Sequence, residues 1–144
     1  MSIQSIKPYF RARMLALGYE KEHPEAFSTA SIASTLRDKT FHILIGDLSG
    51  VSNNQNHQVI EAGVGMQMFF KGYRKEEDGR LLSMAALESI IKEVCTSRNR
   101  VTQALDGIKD VKFISAEAVP VEDTQDNITL LNMTFEVLYT LDFE

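Results

Sequence analysis

The sequence predicts an α+β domain in which an antiparallel sheet, built from two long β-hairpins, carries α-helices packed on one face. Three observations point there. Apolar and polar side chains alternate with a period of two throughout residues 128–143, the signature of a strand with one buried face. Each half of the chain holds two strand-like runs separated by a polar stretch, the layout of a hairpin. Ahead of each hairpin lies a segment whose apolar residues recur at spacings of three and four, as one face of a helix requires.

The first helical segment, residues 3–17, places Ile6, Phe10, Met14 and Leu17 at those spacings and leaves Lys7, Arg11 and Arg13 for the other face. Pro8 falls in its first turn, where a missing N–H costs little, and Gly18 suits the C-terminal stop. Residues 19–39 contain Pro24 and several Ser and Thr, predicting an irregular connection with a short helix at 31–37. Residues 40–45 (TFHILI) make the first strand, 46–57 a polar loop and 58–73 the second strand. There Val64, Met66, Met68 and Phe70 share one face, while Gly63, Gly65, Gln67, Phe69 and Lys71 share the other. The two glycines predict a bend, a bulge or the close approach of another backbone.

Glu76-Glu77-Asp78-Gly79 reads as a turn, leading into a helix over 81–95 with Met84, Leu87, Ile90, Ile91, Val94 and Cys95 on its apolar stripe. It ends near Thr96 or runs on another turn toward Leu105, and Asp106-Gly107 stops any continuation. Residues 111–121 form the next strand, 122–127 a turn and 128–143 the last strand. On the last strand Leu131, Met133, Phe135, Val137, Tyr139, Leu141 and Phe143 point one way. It would extend ~50 Å at ~3.3 Å per residue, more than the core of a small domain requires. Part of it is therefore expected to pair with, or pack on, something outside its own subunit. The sheet face carrying Phe69 and Leu138 is expected to meet solvent or another subunit.

The 144 residues fit one domain, 1–144. Hydrophobic residues at 44% and charged residues at 24% are ordinary for a globular protein, which excludes disordered and fibrous classes. A formal charge of −5 without a Lys or Arg cluster argues against a groove that grips nucleic-acid phosphates. The lone Cys95 cannot form an internal disulfide, and residues 1–18 lack the apolar core of a signal peptide. No apolar run approaches the roughly 18 residues of a membrane span, so a reducing cytosol and no membrane contact are expected. Asn127-Ile128-Thr129 and Asn132-Met133-Thr134 match the glycosylation sequon but read as ordinary strand and turn residues.

No constellation for chemistry stands out. Asp47, Ser49 and His57 supply the residue types of a nucleophilic triad, yet Gly46-Asp47-Leu48-Ser49-Gly50 is not the Gly-x-Ser-x-Gly elbow, and a polar exposed loop accounts for them. His23, His42 and His57 are widely separated and Cys95 sits on an apolar stripe, so no zinc-ligand spacing occurs. Gly63-x-Gly65 lacks the third glycine of a dinucleotide fingerprint and lies within a strand. Glu76-Glu77 and Glu122-Asp123 are solvated turn carboxylates. Arg98 and Arg100 complement a helix dipole at least as well as an acidic partner. The expectation is therefore no enzyme, no cofactor and no metal. In the run Met66 to Phe70, Gln67 with Phe69 suits a protein contact better than a cofactor.

The layout resembles a known family. The opening Ile6-Lys7-Pro8-Tyr9-Phe10-Arg11 closing in Leu17-Gly18-Tyr19, the strand Phe41-His42-Ile43-Leu44-Ile45, the exit Lys71-Gly72-Tyr73-Arg74, a helix, and Val119-Pro120 … Asp126-Asn127 before a long alternating strand are similar to the tail-terminator (tail-completion) proteins of long-tailed bacteriophages. That resemblance implies a virion protein made in the host cytoplasm, forming a homo-oligomeric, hexameric ring at the head-proximal end of the tail tube. It would end tube polymerisation and join the tail to the neck. Implied partners are further copies of the chain, the tail tube protein and a neck or head-completion protein. DNA would pass through the ring without specific binding, since carboxylates facing a lumen repel phosphates. Another head-tail connector, a non-phage oligomeric scaffold and a small enzyme with a dispersed site are the alternatives. The expected interface comprises Ser52, Asn53, Asn54, Gln55, Asn56 and His57 of the first loop, Phe69, and the charged turn with Arg74, Lys75, Glu76, Glu77 and Arg80. The loop is too polar for a core, and the turn offers both charge signs for setting register.

Overall fold

The computed structural model describes residues 6–22, 39–53, 57–72, 76–95, 107–120 and 127–142. In chain order its elements are α1 (Ile6–Ala16), β1 (Phe41–Asn53), β2 (His57–Gly72), α2 (Glu76–Cys95), β3 (Ile108–Pro120) and β4 (Asn127–Asp142). The four strands form one antiparallel sheet in the order β1-β2-β4-β3. The two hairpins thus merge along β2 and β4, and the fold is α+β as the sequence predicts.

One face of the sheet makes the core. From β2 come Ala62, Val64, Met66, Met68 and Phe70, and from β4 Leu131, Met133, Phe135, Val137 and Tyr139, all buried. The two sets meet rung by rung, Val64 opposite Phe135 and Met66 opposite Met133. α1 adds Ile6, Tyr9, Phe10 and Met14, and α2 packs across β2, β3 and β4. Phe135 sits at the centre, edge-on to Phe10 at 5.5 Å and to Phe113 at 5.7 Å. Tyr9 donates a hydrogen bond to the Val94 carbonyl at 2.7 Å, and Arg13 pairs with the buried Glu93 at 3.2 Å. α1 and α2 are therefore locked to each other as well as to the sheet. Gly18 ends α1 at φ +90°, its N–H donating to the Leu15 carbonyl, the left-handed stop that glycine accepts without a Cβ clash.

Several expectations are corrected. Residues 46–53 are strand, not loop, because β2 is long enough to pair with them: Leu48 faces Ala62 and Ser49 faces Glu61. Glu76-Glu77-Asp78-Gly79 is the first turn of α2, where acidic residues favour the positive end of the helix dipole. Met84 lies outward, 59% exposed, while Ser83 and Ala86 face the core with Ile90 and Val94. Small residues there let the helix sit close to the sheet. The long strand β4 needs no outside pairing, being hydrogen-bonded to β2 on one side and β3 on the other. The expected short helix at 31–37 lies outside the described residues, as does the expected turn at 122–127 except for Asn127, which opens β4.

Candidate functional site

The face of the sheet opposite the helices is where the structure leaves function to be sought. Its β2 positions are Glu61, Gly63, Gly65, Gln67 and Phe69; the β4 positions beside them are Leu138, Glu136, Thr134, Asn132 and Leu130. One end of this face is closed. Phe69 is 2% exposed and His42 is also buried. Phe69 exchanges backbone hydrogen bonds with the chain entering β1, donating to the Thr40 carbonyl at 3.1 Å and accepting from Lys39 N–H at 2.7 Å. The expectation that Phe69 offers a contact surface is thereby overturned. Nearby, Gln67 donates to the Asn132 side chain at 3.0 Å, tying β2 to β4.

Beyond Gln67 the face opens. Gly65 lies opposite both Leu44 of β1 and Thr134 of β4. Gly63 lies opposite Glu136, which in turn faces Lys112 of β3. With no side chain at Gly63, a shallow trough of about 250 Å³ remains, bordered by Asp47, Ser49, Glu61, Ile114, Thr134, Phe135 and Glu136. The glycines answer the predicted close approach in an unexpected way. β2 pairs with β4 without a register shift, and the irregularity falls on β1 between Ile45 and Leu48, across from Gly63. A Cβ on Gly46 would stand 3.3 Å from the Gly63 carbonyl oxygen, which keeps that position small.

The electrostatic centre of the trough is a pair of carboxyls. Glu61 and Glu136 share a hydrogen bond; this bond first, then their mutual repulsion and partial desolvation, push Glu61 above the usual carboxylate range, while Lys112 pulls weakly the other way. Asp47 and Glu117 lie on the flanking strands β1 and β3. Nothing in the sequence signals the pair, because Glu61 and Glu136 meet only through the register of β2 on β4.

The other sequence candidates scatter. Ser52 and Asn53 belong to β1 and His57 opens β2, opposite Asp142. Ser49 faces Glu61, four residues along β2 from His57 and hence about 13 Å away, so the residue types of a triad are not assembled. Asn54, Gln55, Asn56, Arg74 and Lys75 lie outside the described residues. Glu76 and Glu77 begin α2, and Arg80 stands exposed on it. Cys95 is half-buried, and burial, with Asp110 nearby, raises its thiol pKa against a backbone hydrogen bond from Phe113. A raised thiol pKa suits a packing residue and not a nucleophile. Among the described residues no group of three His, Cys, Asp or Glu side chains is placed to hold a metal, and no helix is long and apolar enough to cross a membrane.

Compared with protein-family models and with curated protein sequences, the chain matches none.

Proposed function

We propose that the chain is a structural ring subunit of the tail-terminator kind, sitting at the head-proximal end of a phage tail tube, where it ends polymerisation and joins the tail to the neck. The observation that carries this is the one-sided coverage of the sheet. Among the described residues both helices lie on one face, and the first hairpin continues past them, with residues 46–50 of β1 exposed. A sheet face and a hairpin arm that the described residues leave uncovered are suited to neighbours. The arm reaches the adjacent ring, copies of the chain close around the tube, and the acidic surface lets DNA slide through without binding.

The test is assembly. Native mass spectrometry of the full chain should show a closed ring, and adding it to polymerising tail tube protein should stop growth. Removing residues 52–56, at the end of the arm, should leave the ring intact but give tails of uncontrolled length in electron micrographs. Normal tail lengths and normally joined particles with that deletion would remove the arm from the mechanism. A chain that neither oligomerises nor affects tube growth would end the reading.

A further inference from the structure

We propose that the open trough of one copy is filled by the outer ridge of α2 from the next copy, so that subunits associate head to tail, helix layer onto sheet face. The proposal rests on the ring reading and names the surfaces that would build the ring.

The two surfaces complement each other in charge. On α2, Leu81, Met84 and Ala85 stand outward at spacings of three and four with Arg80 beside them, all exposed. These residues form one ridge, apolar over about one turn, with Arg80 at one end and the exposed Glu88–Lys92 pair following at the other. On the sheet, Ile114 is exposed at the border of the trough whose floor holds Gly63, and Leu44 is exposed on β1 opposite the neighbouring Gly65. The absent side chains leave room for a ridge to approach the backbone. Beside Gly63, Glu136 and Glu61 stand at neighbouring positions of β4 and β2, and both border the trough. A guanidinium placed there relieves their repulsion and donates charge-assisted bonds to both carboxylates.

The edges of the sheet are the competing route, and they are guarded. β1 shows register shifts between Ile45 and Leu48 and between Gly50 and Ser52; β3 shows them between Ile108 and Asp110 and between Phe113 and Ser115. Irregularities of this kind oppose edge-to-edge pairing. Ridge and trough also lie on opposite layers of the domain, so a copy that uses one still presents the other. Such contacts are heterologous, and they end only when a ring closes.

The experiment uses two full-length variants. Leu81→Glu with Met84→Glu spoils the ridge; Leu44→Glu with Ile114→Glu spoils the trough. All four positions are exposed, so each variant should keep the parent's circular dichroism spectrum. Each alone should be monomeric by native mass spectrometry. Mixed in equal amounts, with one isotopically heavy, they should form a one-to-one dimer and nothing larger, since only one good ridge and one good trough are present. Arg80→Glu should weaken association roughly tenfold, and adding Glu136→Lys to the same chain should recover it.

Ring formation unchanged in either double-Glu variant overturns the proposal and leaves the ring reading standing. Monomeric variants whose mixture stays monomeric also overturn it, because that outcome belongs to a contact between like surfaces. A parent chain that is monomeric throughout ends both the proposal and the ring reading.

Discussion

The two central strands and the two edge strands of the sheet obey different rules. β2 and β4 pair without a single shift from His57 opposite Asp142 to Gly72 opposite Asn127. β1 and β3 each interrupt their ladders twice. Central strands must place every second side chain in the core, and a one-residue slip would turn the whole set outward. Edge strands are free of that demand and gain from irregularity, which makes a poor template for a stray strand. The difference separates the pairing that fixes the core from the edges, which are guarded against stray strands.

Substitutions along one rung sharpen the comparison. Phe135 and Phe113 face each other across β4 and β3, but Phe135 is fully buried whereas Phe113 only packs against the core from its margin. Phe135→Ala should destabilise by ~3 to 5 kcal/mol in urea unfolding. Phe113→Ala should cost about 2 kcal/mol or less, in proportion to its smaller burial. Equal losses would break the distinction between centre and edge. Leu44→Ala, on the exposed side of β1, should change stability by no more than about 0.5 kcal/mol.

The smallest effect is a pH dependence. Glu61 titrates above its unfolded value because it shares a hydrogen bond with Glu136 and is repelled by it. The folded state therefore holds that proton more tightly than the unfolded chain does, so its contribution is fully present in acid and is lost as pH rises through the folded value. In Glu136→Gln the amide donates to the Glu61 carboxylate and the repulsion is gone. The variant should gain on the parent as pH rises from acid to neutral, in urea midpoints measured across that range. A difference that does not vary with pH would show that the pair is uncoupled.

The same contrast explains what could be read in the sequence. β4 is legible because it is buried on one face and paired on both sides, so burial writes a period of two into it. The outer half of β1 is not, because Gly46, Asp47, Ser49 and Gly50 are exposed and impose no apolar pattern. α2 misleads in two ways. Its acidic opening resembles a turn, and its inward stripe includes Ser83 and Glu93, whose burial depends on Ser83 donating to the Arg80 carbonyl and on Arg13 reaching across from α1. Only the folded packing supplies those partners. The trough is half legible: Gly63 and Gly65 predict a bend, a bulge or a close approach, and the irregularity falls across from Gly63 on β1, but the acid pair requires the pairing of distant strands.

The seam between β2 and β4 also matters during biosynthesis. Each hairpin can zip from its own tip, whereas the seam joins the first hairpin to a strand that comes after the whole of α2 and β3. At roughly 5 to 20 residues per second, the ribosome delivers β4 some seconds after β2. During that interval the edge of β2 that will meet β4 is long and, unlike the outer edges, unbroken by any bulge. The regularity that makes the seam strong in the finished domain leaves it open during translation, when a neighbouring nascent chain could supply the missing strand.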